Sequence, residues 1–97
     1  MTRDDMIYYI NTGFNSKISL VLEEENIDND ILLMIVENAS TEEILLKVLN
    51  KNIDSDIFEA VFERNKEIQS STVTNKIIEE RRFFTKEMYE FYTKNSY

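Results

Sequence analysis

Apolar residues recur along this chain at intervals of three and four, the spacing that lines one face of an α-helix. Met6, Ile7 and Ile10 form the first set, Ile18, Val21 and Leu22 the second, and Ile31, Met34 and Ile35 the third. Ile44, Leu45, Val48 and Leu49 follow, then Ile57, Phe58, Val61 and Phe62. The last stripe, Val73, Ile77, Phe84, Met88 and Phe91, predicts a longer helix that starts near Ser71, runs past Phe84 and is open to a break near Thr85.

Polar residues between the stripes read as helix ends. Thr2 with Asp5 three residues on resembles a capping box, and Asn11-Thr12-Gly13 offers Gly13 for a left-handed stop. A second helix fits Ser16 to about Glu25, and Asp28 or Asn29 can cap the third. Ser40 with Glu43 reads as a further capping box, and Asp54 as the cap of a fifth helix. Pro is absent and Gly13 is the single glycine, so the punctuation of sheets and hairpins is missing. The expectation is one all-α domain over residues 1–97: a small helical bundle or short α-solenoid of five to seven helices with a longer C-terminal helix.

Internal repetition sharpens this. Asn26-Ile27-Asp28-Asn29-Asp30-Ile31 returns 26 residues later as Asn52-Ile53-Asp54-Ser55-Asp56-Ile57, and Asn11, Asn38 and Asn65 end their helices at intervals of 27. Periods of this size mark stacked helical units, here 11–37 and 38–64 as degenerate repeats, followed by an aromatic segment 71–97. The stretch from Ile31 to Asn65 resembles the leucine-rich repeat variant pattern, a HEAT-like α-helical repeat. Ile57, Ala60, Val61 and Asn65 fit its first helix, and Thr41, Leu45, Leu46 and Leu49 its second. Its proline positions hold Ala39 and Glu42, and the period here is longer. The resemblance implies a helical stack used for interaction and carries over no reaction.

Composition narrows the chemistry. Without Cys there is no thiolate nucleophile or Cys-based metal site, and without His no imidazole base or ligand. One glycine cannot build a phosphate-cradling loop. The Asp28 and Asp54 pairs begin like calcium loops, yet the sixth positions hold Leu33 and Glu59 where glycine is needed. No catalytic residue, cofactor or metal is therefore expected. No apolar run reaches the length of a membrane span, and the acidic start differs from a secretory signal, so a cytoplasmic location is expected. An Ile-, Asn- and Lys-rich composition suits a low-GC bacterium or its phages and plasmids.

Net charge is −8, and eight acids with no base lie between Lys17 and Lys47. Residues 1–70 hold fifteen acids and six bases, whereas 71–97 are nearly neutral and carry six of the eleven aromatics. Such acidity disfavours direct nucleic-acid binding and suits solvation or a basic protein surface. Candidate partner-binding residues are Glu23, Glu24, Glu25 and Glu42 on the acidic part. Arg81, Arg82, Phe83, Tyr89 and Tyr92 are the candidates on the aromatic part, where aromatics beside arginine suit a partner or a second copy. The function expected is non-catalytic protein binding, as an accessory or adaptor of a mobile element. The alternative is an acidic inhibitor that mimics nucleic-acid phosphates.

Overall fold

The computed structural model of the chain describes residues 1–81 and 83–94. Among these residues there are seven α-helices and no strand: α1 (Arg3–Asn11), α2 (Asn15–Leu22), α3 (Asn29–Asn38), α4 (Glu42–Leu49), α5 (Ser55–Ile68), α6 (Ser71–Glu79) and α7 (Lys86–Lys94). Most are too short to persist alone in water, so packing must hold them. They pack in two rows. α1, α3 and α5 touch in succession, α2, α4 and α6 do the same, and each odd helix also packs on the even helix after it. The molecule is accordingly long and narrow, 41 × 22 × 15 Å.

Equivalent side chains build each row. The residues that immediately precede α1, α3 and α5 are Thr2, Asp28 and Asp54, each 26 residues after the last. At the same spacing, Met6, Leu32 and Phe58 are all buried, as are Ile10, Val36 and Phe62. In the even row Val21, Val48 and Ile77 are each wholly buried. A fully buried side chain of this size contributes about 1.5–3 kcal/mol, and the rows repeat that gain along the stack. Polar bridges tie successive layers together. Arg3 reaches Asp28 and Asp30, Lys47 donates to Ser19 Oγ at 3.2 Å, and Arg64 Nε donates to the Ala39 carbonyl at 2.8 Å.

Local ends follow the capping chemistry in part. Thr2 Oγ1 accepts from the Asp5 amide at 3.1 Å while Asp5 accepts from the Thr2 amide, completing a capping box. Asp54 and Ser70 accept from Ile57 and Val73 amides at 3.0 and 3.1 Å. Two expected caps differ. α4 starts one residue later than a Ser40 cap requires, after Thr41, and Glu43 pairs with Lys47 one turn on at 3.3 Å. Asp28 stands at the start of α3, yet its carboxylate turns to Arg3 at 3.3 Å, because a cation on the neighbouring helix competes with the backbone. α2 spans Asn15–Leu22, ending earlier than Glu25.

The expected longer C-terminal helix is two short ones, and α5, with 14 residues, is the longest helix. The chain leaves α6 at Glu80 (φ −84°, ψ 70°), and Thr85 Oγ1 accepts from the Met88 amide at 3.2 Å to start α7. Packing explains the break. A straight helix from Ser71 to Phe91 would be about 30 Å long and would carry its aromatics past the stack. Turning back instead sets Phe83 against Phe58, and Phe91 and Tyr92 against Phe62, all with centroids 5.5 Å apart. Tyr97 lies outside the described residues.

Candidate functional site

Sorting the charge by row gives the acidity a location. The odd helices α1, α3 and α5 carry eight carboxylates against three cationic side chains. The even helices α2, α4 and α6 carry three of each. The α2–α3 connection adds Glu23, Glu24, Glu25 and Asp28, with no base. Asp30 and Asp56 share one register 26 residues apart, Glu37 and Glu63 another, so acids of adjacent odd helices stand side by side along the row. Carboxylates kept together against their own repulsion make a negative face beside a neutral one.

Ion pairing neutralises part of this face. Arg3 forks onto Asp30, and that hydrogen bond holds the Asp30 carboxyl below its ordinary range while raising the guanidinium. Glu63 pairs with Lys66 at 3.2 Å and Glu67 with Arg64 at 3.0 Å. Lys66 is further occupied, its Nζ lying 4.8 Å from the ring centroids of Phe62 and Phe91. Glu37 and Glu59 form no ion pair among the described residues.

Between α3 and α5 the same face is creased by a cleft of about 390 Å³, lined by Leu33, Val36, Glu37, Ala60, Glu63, Arg64 and Glu67. Leu33 is 38% exposed there, a large apolar side chain among carboxylates. A second cleft, of about 280 Å³, lies where α4 gives way to α5, between Lys51 and Glu80 over Phe58 and Phe83. Lys51 also donates to the Glu24 carbonyl at 3.1 Å, so it serves to hold the α2–α3 connection.

The candidates read from sequence fall in three places. Glu23, Glu24 and Glu25 sit together after α2, with Glu23 and Glu25 exposed. Glu42 opens α4 in the even row, apart from them, and accepts from Ser70 Oγ, which also caps α6. Arg81, Phe83, Tyr89 and Tyr92 lie at the far end of the stack. Arg81 is exposed in the turn after α6, while Phe83 and Tyr92 are half-buried against Phe58 and Phe62. Tyr92 also stacks on Phe84 with planes 4° apart, and Tyr89 faces outward at 61% exposure. Arg82 lies outside the described residues.

Leu33, Glu37, Ala60, Glu63 and Glu67 were not among those candidates. Their signal in the sequence is the 26-residue register, which brings Glu37 beside Glu63 only once α3 is known to pack on α5. Among the described residues no three carboxylates converge as metal ligands would, and no helix is long and apolar enough to cross a membrane. No protein-family model, curated protein or solved structure matches the chain.

Proposed function

We propose that the chain is a non-catalytic protein-binding module, a short stack of helical repeats that meets a basic partner through its odd-helix face. The observation that carries this reading is the division of charge between rows, eight acids to three bases on one and three to three on the other. Solvation alone asks for no such division, since charge spread over both rows would serve equally well. A face of one sign raises encounter rates with an opposite surface and rejects like-charged ones. The long, narrow stack suits it, because adjacent layers carry acids at equivalent places. Service as an accessory or adaptor of a bacterial mobile element fits this reading and the composition.

The experiment is capture of partners from the native host followed by affinity measurements on the purified complex. Glu59→Lys with Glu63→Lys should weaken binding at least about tenfold and reduce its salt dependence. The even-row change Glu79→Lys should leave affinity within about twofold. Equal affinity for both variants would refute the odd-face reading. A second reading, phosphate mimicry, is favoured by the four acids of the α2–α3 connection, a run with no base among them in the sequence. It requires that the captured partner bind nucleic acid and that DNA or RNA compete with this chain.

A further inference from the structure

We infer that the cleft between α3 and α5 is the docking groove for a cationic amphipathic segment of a partner protein, a proposal that rests on the protein-binding reading above. The cleft holds about 390 Å³, enough for one or two large side chains. Its floor is apolar, with half-buried Ala60 beside Leu33, which is 38% exposed. A single exposed leucine needs no explanation on a mixed surface. Here it lies in a concavity whose rim carries Glu37, Glu63 and Glu67 against Arg64 alone.

The rim selects the occupant's charge. Glu37 has no ion pair among the described residues and is open to an incoming lysine or arginine. Glu63 and Glu67 pair with Lys66 and Arg64 on their own helix, both three residues away. Such short-range surface pairs are weak and exchange readily for a better partner. Arg64 is also anchored on the Ala39 carbonyl at 2.8 Å, so its charge stays in place if Glu67 turns outward. An occupant with one apolar side chain over Leu33 and Ala60, and cations on either side of it, satisfies floor and rim together. A purely cationic chain would leave Leu33 wet, and an acidic one would meet three carboxylates.

The test uses the whole chain, labelled with nitrogen-15, and a synthetic amphipathic helical peptide of leucine and lysine about 14 residues long. Oligolysine of equal charge is the comparison. Amide shifts centred on Leu33, Glu37, Ala60 and Glu63, with at least about tenfold weaker binding of oligolysine, are the expected result. Leu33→Glu should weaken the leucine–lysine peptide by a similar factor, while Leu33→Met should bind as the native chain does. Leu33 is exposed enough that neither change threatens the fold. Shifts confined to residues 23–28, equal binding of oligolysine, or no saturable binding would each overturn the groove. A captured native partner that binds Leu33→Glu normally but loses affinity for Glu59→Lys with Glu63→Lys would sink the groove and leave the protein-binding reading standing.

Discussion

Asn65 is wholly buried, and a buried polar side chain is tolerated only when its hydrogen bonds are met. Its amide nitrogen donates to the Ser70 carbonyl at 3.2 Å and to Thr74 Oγ1 at 3.0 Å, and its oxygen accepts from the Ser70 amide at 3.1 Å. The side chain thus stands in for a missing backbone turn between α5 and α6. Asn65→Ala leaves the Ser70 amide unmet, while the Ser70 carbonyl still accepts from the Thr74 amide at 3.0 Å and from Thr74 Oγ1 at 2.9 Å, and should cost about 2–3 kcal/mol. In a domain of this size thermal unfolding should fall by roughly 10–20 °C. The next residues hold the opposite opportunity. Gln69 ends α5 in the left-handed region (φ 58°), where a β-carbon is penalised and glycine is not. Gln69→Gly should raise stability by about 0.5–1 kcal/mol after its own entropic cost, a gain of a few degrees by calorimetry. Arg3 supplies a pH test. Because its hydrogen bond lowers the folded Asp30 carboxyl, the stabilisation is complete above the unfolded carboxylate value of about 3.9 and is lost as pH falls through the folded one. In Arg3→Gln, the Asp30 titration followed by carbon-13 NMR should move up toward the ordinary value, and no shift would dismiss the pairing. The sequence marks Asn65 as the end of a helix, whereas α5 runs on to Ile68, and its partners Ser70 and Thr74 become visible only with the αL turn at Gln69.

At the scale of elements, helices with strong apolar periodicity and a nearby capping residue were readable without a structure. α1, with Thr2 and Asp5, and α5, with Asp54, start where local chemistry says they should. α4 did not follow Ser40, since an S-x-x-E pattern is a statement about local bonding, and the packing of Ile44, Leu45, Val48 and Leu49 sets the phase. The α6–α7 break falls over residues 80–85, at the place near Thr85 where the sequence leaves one open. Val73, Ile77, Phe84, Met88 and Phe91 keep helical spacing through it, so periodicity alone continues one helix. What ends α6 is tertiary: Phe58 and Phe62 present aromatic surface that Phe83, Phe91 and Tyr92 cover by folding back. α7 has nine residues and depends on that docking, with Met88 2% exposed as its anchor. Met88→Ala should therefore release α7 at a cost of about 2–5 kcal/mol to its attachment. Hydrogen exchange over residues 86–94 should then approach the rate of an unprotected segment while α3 and α4 keep theirs. Uniformly faster exchange through the whole chain would mean that α7 is part of the central core.

The whole molecule shows what a stack must do with its ends. Ile31 and Ile57 are buried at equivalent places in α3 and α5, yet the same place in α1 is Asp5, which is exposed. In the even row Ile44 and Val73 are buried where α2 has Lys17, whose ammonium lies 4.9 Å from the Tyr9 ring centroid. The first layer is built like the others except on the side where no described helix covers it, and there its buried positions have become polar. At the other end α7 covers Phe62. A polar outer face on a layer of packed helices keeps it from recruiting another copy, as an apolar one would. This asymmetry was present in the sequence but had no meaning until register showed which residues of α1 and α2 correspond to the buried ones. It also makes a prediction. Asp5→Ile with Lys17→Ile restores the apolar pattern of the inner layers, so the variant should associate end to end, with a mass by light scattering that climbs with concentration. The polar control Asp5→Asn with Lys17→Gln should keep the native mass over the same range. If the double-Ile variant also does so to high micromolar concentration with its helicity intact, those two side chains are ordinary surface residues, and closure of that end must come from the shape of the first layer.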